Sequence, residues 1–273
     1  MPTERINGFH MYYEVAGQGV PFLYVHGGLG GGRGSALFRQ HHMSALAQHG
    51  RVIAFDRRAA GLSDTPLTEY SFTDFVADMV ALLDHLGHAR AVLMGHSAGG
   101  PQVLQCALTH PERVIALVLS CTATQTVHVP AELASLVTFL GTEGLTHLQQ
   151  MLARHDTPPS APPGPVEPLT GVLQTYLAYH LHGDPLTARL RDITAPALIL
   201  HGTADTEVPF GEAEHLHASL PTSSLIAFAA GSHSIPVTHA EPYRHAIIDF
   251  LQALGLAPSS PSAGPQHGTG RGT

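Results

Sequence analysis

Short, continuous apolar runs alternating with helical patterns decide what this chain can fold into. Ala91–Met94, Val114–Leu119 and Ala197–Leu200 contain no polar residue, which suits strands of a parallel sheet covered on both faces. Helical periodicity alternates with such runs: Phe72 to Leu86 places Phe72, Phe75, Val76, Met79, Leu82, Leu83 and Leu86 on one face and stops at Gly87. Pro101–Thr109, Phe210–Leu220 and Glu241–Leu254 are also expected as helices, as is Leu37–His49. Phe9–Val15, Val20–Val25, Arg51–Phe55 and Ser224–Phe228 read as further strands, the first two parted by the turn Gly17-Gln18-Gly19. Strand-helix alternation of this kind is an α/β architecture. A chain of 273 residues that is 44% hydrophobic can bury a large core in one such domain.

One strand-to-helix junction carries chemistry. Ala91–Met94 leads into Gly95-His96-Ser97-Ala98-Gly99, and a helix comes next. In a Gly-x-Ser-x-Gly turn the glycines permit a tight reversal that leaves the serine hydroxyl exposed beside a helix N-terminus. A serine becomes a nucleophile only when a base takes its proton and an acid orients that base.

In a parallel sheet the loops at the C-terminal strand ends converge, so partners are sought there. His233, in Gly231-Ser232-His233-Ser234, directly follows the last expected strand. Asp205, in Gly202-Thr203-Ala204-Asp205, follows Ala197–Leu200. His215, His217 and His245 fall within expected helices and His239 at a helix start, which leaves His233 as the base. Asp192 and Glu207 are the nearest competitors for the acid; the loop after Leu119 has no carboxylate before Glu132. The negative oxygen formed on attack also needs fixed N–H donors. Those of Ala98, just after the serine, and of Gly28, in the glycine-rich loop His26-Gly27-Gly28-Leu29-Gly30-Gly31-Gly32, are the candidates.

Composition narrows the partners. The formal charge is −8, all 13 basic residues are arginine, and there is no lysine or tryptophan. This excludes a lysine nucleophile and argues against nucleic-acid or anionic-membrane binding, leaving a small-molecule substrate. The N-terminal stretch lacks the apolar core of a signal peptide, and Val114–Ala123 is about half the length of a membrane span. Cys106 and Cys121 are expected as buried free thiols, which fits a cytoplasmic location. The pairs His41-His42, His85/His88 and His215/His217 have no convergent carboxylate or cysteine set and are expected at the surface. No metal or organic cofactor is expected.

From Phe9 to Leu254 the chain resembles the α/β-hydrolase-fold proteins. The resemblance rests on the order Ser97, Asp205, His233, on His26-Gly27-Gly28 as oxyanion loop, on the Gly95–Gly99 elbow, and on Asp56-Arg57-Arg58-Ala59-Ala60-Gly61-Leu62-Ser63 as the Asp-x-Arg-Gly-x-Gly-x-Ser segment. Ala59 stands where that segment usually has glycine. The resemblance implies a mostly parallel, eight-stranded sheet flanked by helices, with a small helical cap inserted after the sixth strand. Its domain reading is core at 1–121, cap at 122–186, core again at 187–256, and a Pro/Ser/Gly-rich disordered tail at 257–273. The insertion shows helical patterns at Leu133-Leu136-Val137-Leu140, Leu145-Leu148-Leu152 and Val172-Leu173-Tyr176-Leu177, and six prolines between Thr157 and Pro168.

The expected activity is a serine hydrolase cleaving a small, mostly apolar carboxylic ester or related acyl compound through an acyl-enzyme on Ser97. A serine at the elbow argues against the epoxide hydrolase and haloalkane dehalogenase branches, which use aspartate. Proline iminopeptidase-like, lactonase, C–C bond hydrolase and cofactor-free haloperoxidase-like activities share the triad and stay open. So does a catalytically silent ligand-binding member of the fold.

Overall fold

The computed structural model describes residues 3–28, 34–66, 71–125, 175, 178–179 and 185–257. The strands are β1 (Thr3–Ile6), β2 (Phe9–Ala16), β3 (Pro21–Val25), β4 (Arg51–Phe55), β5 (Ala91–His96), β6 (Val114–Ser120), β7 (Ala197–Gly202) and β8 (Ser223–Phe228). They form one eight-stranded sheet in the order β1-β2-β4-β3-β5-β6-β7-β8. β1 pairs antiparallel with β2, and β2 with β4; every later pairing is parallel.

The apolar runs mark every strand except β1. Its signal is Asn7-Gly8: both residues take positive φ, 47° and 90°, as a two-residue hairpin turn demands, and Ile6 pairs directly with Phe9.

Successive strand residues point to opposite sides and fill two separate cores. Leu23, Ile53, Leu93, Leu117 and Ile199 pack with α3 (Phe72–His85), α4 (Gly99–Thr109) and α5 (Phe210–Ser219). Tyr24, Val52, Met94, Val118 and Leu198 pack with residues after β3 and with α7 (Ala240–Ala253). Burial on both faces is why the runs are continuously apolar. A short helix, α6 (Ile235–Thr238), precedes α7 and was not expected from periodicity.

The helix expected over Leu37–His49 is divided. α1 (Ala36–Phe38) passes into a π-helical turn, Arg39–Met43, and then into α2 (Ser44–Leu46). A π-turn widens the helix and shifts the phase of every residue beyond it. Arg39, the first residue of the turn, reaches Glu14 and Asp56, at 3.0 and 3.1 Å, and His42 and Met43 are buried.

The insertion patterns at Leu133, Leu145 and Val172, the proline run 157–168 and the tail beyond Ala257 lie outside the described residues. Within the expected cap, Thr175, Ala178 and Tyr179 are helical and buried. Ala178 and Tyr179 pack with Ala59, Phe72, Phe75 and Ala98.

Candidate active site

Ser97 sits on the turn between β5 and α4 with φ of 50°, the strained left-handed conformation of an elbow serine. A Cβ on Gly95 would lie 2.6 Å from the Gly99 oxygen, and one on Gly99 would lie 2.2 Å from the Val25 oxygen. Only glycine fits at either end. The Ser97 N–H donates to the Ser120 carbonyl at 2.9 Å. Its own carbonyl accepts from Gly100 N at 2.9 Å and from Thr122 Oγ1 at 2.6 Å.

His233 and Asp205 meet as the sequence order anticipates. His233 Nδ1 lies 2.8 Å from Asp205 Oδ2, while Asp205 Oδ1 accepts the N–H groups of Glu207 and Val208, each at 2.9 Å. Burial alone would raise the Asp205 carboxyl. The Val208 N–H, the His233 ring and the Glu207 N–H outweigh it and hold the group below the ordinary carboxylate value. His201, fully buried on β7, places Nε2 3.4 Å from Asp205 Oδ2 and 2.9 Å from the Val208 carbonyl. Burial lowers its pKa, so it lies beneath the carboxylate as a neutral imidazole. Of the competing acids, Asp192 stands apart, paired with Arg189 at 3.3 Å on the surface. Glu207 is exposed and approaches the other ring nitrogen, with Oε2 3.8 Å from His233 Nε2.

Gly28 and Ala98 are held from behind. Arg57, 2% exposed, donates through Nη2 to the carbonyls of Gly27 at 3.0 Å and Gly28 at 2.6 Å. Its Nη1 lies 3.4 Å from the Tyr179 hydroxyl, and its guanidinium lies 5.6 Å from the Phe75 ring centre. The Tyr179 hydroxyl donates to the Ala98 carbonyl and accepts from Gln102 Nε2. A trans peptide points C=O and N–H to opposite sides. Arg57 on the Gly27 oxygen therefore fixes the Gly28 N–H, and Thr122 on the Ser97 oxygen fixes the Ala98 N–H. Among the described residues neither N–H has a partner.

The Asp56–Ser63 segment supports this loop. The buried Asp56 carboxylate accepts Ser35 N at 2.7 Å, Ser35 Oγ at 2.6 Å and Leu62 N at 2.9 Å. Arg58 forms a buried bidentate pair with Asp78, both contacts at 2.6 Å. Ala59 takes φ of 61°, keeping the left-handed backbone that the usual glycine would adopt.

A cavity of about 350 Å³ joins these groups; Ser97, His233, Gly27, Gly28, His26, His96, His42 and Glu207 all line it. Among its described lining residues Glu207 is the one formally charged side chain. Burial, reinforced by the Arg57 charge, pushes His26 down to about 3; burial and then the neighbouring His233 push His96 to about 3. His215 and His217 are exposed, as anticipated. His42 is not: it is 1% exposed, on the face it shares with the buried Phe38 and Leu46.

Cys106 and Cys121 are free and buried. Among the described residues Cys121, Asp205 and His233 bring their ligand-type atoms within 4.8 Å of one another. Their arrangement suits a metal poorly, since Asp205 and His233 already bond each other and burial raises the Cys121 thiol to about 12. Thr122, Tyr179 and His201 have no sequence signature of their own, and each is found only through the partner it touches; Arg57 belongs to the Asp56–Ser63 segment, but its role comes only from its contacts.

The fold and this site define an α/β-hydrolase-fold protein. The chain belongs to that family, whose model, described as alpha/beta hydrolase fold, matches residues 20–162. It is 30% identical to a putative carbamate hydrolase RutD of Caulobacter vibrioides, over 92% of this chain and 98% of that protein. It is also 30% identical to the 2-hydroxy-6-oxononadienedioate/2-hydroxy-6-oxononatrienedioate hydrolase 2 of Pseudomonas putida, covering 89% and 91%. The enol-lactonase of Burkholderia xenovorans LB400 shares the fold, with a TM-score of 0.74 at 21% identity over 92% of this chain and all, 100%, of that one. Among the described residues no helix is long and apolar enough to cross a membrane.

Proposed function

We propose that the protein is a serine hydrolase acting on a small, mostly apolar carboxylic ester or related acyl compound. The observation that carries this reading is Ser97, on a positive-φ elbow, sharing a cavity wall with a His233 oriented by Asp205. In this mechanism His233 takes the Ser97 proton as Ser97 Oγ attacks the carbonyl carbon. Asp205 fixes the imidazole tautomer and balances the imidazolium. The Gly28 and Ala98 N–H groups receive the oxyanion. The tetrahedral intermediate collapses as His233 protonates the leaving alcohol, and water repeats the sequence on the acyl-enzyme. No cofactor takes part, and the substrate is a small molecule met in the cytoplasm. The segment 122–186 is proposed as the cap; the packing of Tyr179 against Ala98 supports its lying over the site.

The test is turnover of p-nitrophenyl acetate and butyrate together with fluorophosphonate labelling. Both are expected in the wild type and neither in Ser97→Ala. Undiminished turnover in the variant removes Ser97 from the mechanism; a folded wild type that neither turns over nor labels supports the ligand-binding alternative. The relatives' names widen the acyl class to carbamates and lactones, which the same attack would open, so both belong in the substrate panel. Glu207 favours a second reading: its carboxylate on the cavity wall could hold a free amino terminus. Cleavage of prolyl-p-nitroanilide that is lost in Glu207→Gln would support this aminopeptidase.

A further inference from the structure

His42 belongs to neither the triad nor the oxyanion loop. It lies in the π-turn Arg39–Met43, on the face it shares with the buried Phe38 and Leu46, four positions to either side, and it lines the cavity that holds Ser97. Its ring lies between Phe38 and Tyr243, at centroid distances of 5.6 and 5.2 Å. Both ring nitrogens are buried, and among the described residues neither has a hydrogen-bond partner. The Pro236 backbone is near enough to favour the protonated ring, against the stronger effect of burial, but makes no hydrogen bond of normal geometry with it. The Tyr243 hydroxyl is already committed to Ser120 Oγ at 2.8 Å. An unsatisfied buried imidazole is destabilising compared with a leucine or phenylalanine in the same space. The cost is recovered when a ligand supplies the missing partner.

We propose that His42 forms a polar subsite in the catalytic cavity, selecting substrates that carry an uncharged hydrogen-bonding oxygen, a ketone or hydroxyl, beyond the scissile acyl bond. The inference rests on the acyl-transfer reading of the cavity and names its substrate class. An uncharged group fits for two reasons. Burial pushes His42 down to about 4, so at neutral pH it is a neutral imidazole with one N–H donor and one lone pair. Glu207, on the same cavity, repels an anionic substrate. A purely apolar chain would leave the imidazole unpaired, and sites built to bond a polar group discriminate against analogues that lack it.

The experiment uses matched pairs differing only by a ketone: p-nitrophenyl 4-oxopentanoate against p-nitrophenyl pentanoate for the acyl side, and 3-oxobutyl acetate against butyl acetate for the alcohol side. Wild-type kcat/KM is expected to favour the ketone by about tenfold in at least one pair. His42→Leu brings that ratio near unity whatever its absolute turnover, and His42→Gln, which restores a donor, retains part of it. Equal kcat/KM within both pairs for the wild type overturns the proposal, as does a preference that survives in His42→Leu. A binding arm separates this from the function itself. Calorimetry with Ser97→Ala, comparing methyl 4-oxopentanoate with methyl pentanoate and 3-oxobutyl acetate with butyl acetate, should show a preference for the ketone in at least one pair, lost in Ser97→Ala/His42→Leu. If wild type turns over no ester but this preference holds, the acyl-transfer reading fails and the subsite stands; equal affinities within both pairs overturn the subsite whatever the turnover. Should His42→Leu not fold, the wild-type ratios and His42→Gln decide.

Discussion

Replacing Arg57 by methionine keeps a long side chain over Phe75 but removes every donor. The Gly28 and Gly27 carbonyls lose charged partners at 2.6 and 3.0 Å, and the Tyr179 hydroxyl loses one at 3.4 Å. Hydrogen bonds to charged groups contribute about 1.5–3 kcal/mol each, although the carbonyls near the cavity recover part of this from water. A net loss of about 2–4 kcal/mol is expected, lowering the melting temperature by roughly 5–15 °C in a domain of this size. The catalytic effect is separate. Loss of a whole oxyanion donor lowers kcat by about 10²–10³. Here the Gly28 N–H stays in place but its peptide is free to rotate, so kcat should fall by about 10–100-fold. KM should change little, because the ground-state carbonyl depends less on that donor than the oxyanion does. Arg57→Lys, which can still reach a carbonyl, should recover part of kcat. Steady-state kinetics on p-nitrophenyl butyrate and thermal melts of both variants test this. A methionine variant that melts earlier yet keeps wild-type kcat would refute the orienting role and leave Arg57 as a stabilising residue only.

Tyr179→Phe frees the Ala98 carbonyl and Gln102 but keeps the ring on Phe72 and Phe75, so a kcat loss of about 2–10-fold with a smaller change in melting temperature is expected. Ala59→Gly should shift stability by less than about 1 kcal/mol. Relief of the left-handed backbone is offset by the lost methyl contact and the greater freedom of unfolded glycine, and a melting-temperature change above about 5 °C contradicts that balance. The cavity histidines predict acid sensitivity. His26, His42 and His96 stay neutral in the fold down to about 3, 4 and 3, whereas in the unfolded chain they protonate near 6.5. Their contribution is therefore fully present above pH 6.5 and declines as pH falls towards the folded values, by about 1.4 kcal/mol per pH unit for each histidine. Circular dichroism should show unfolding above about pH 4, and His42→Leu should flatten the slope; a melting temperature constant from pH 7 to 4 contradicts the burial of these rings as neutral groups.

How far each interaction reaches along the chain decides whether a sequence reveals it. Ser97, Asp205 and His233 were legible because each sits at a strand end, and strand ends are marked by local patterns: an apolar run, then glycine and small polar residues. The parallel sheet does the rest, since it gathers all such ends on one side whatever their separation. Arg57 was visible as a residue of a recognisable segment, but its partners, Gly27, Gly28 and Tyr179, lie up to 122 positions away, and nothing local says that its guanidinium turns inward. β1 was missed for a different reason. It is four residues long and mostly exposed, so it carries no apolar run, and only the Asn7-Gly8 turn betrays it. His42 illustrates the hardest case. Four residues from Phe38 and from Leu46, it shares their buried helical face, but a histidine in such a pattern reads as a polar surface position, and nothing local says that the face borders the cavity. Arg39, at the start of the same turn, pairs with the buried Asp56. The buried Asp56 carboxylate and the residue argued to select the substrate are thus joined by one turn of helix.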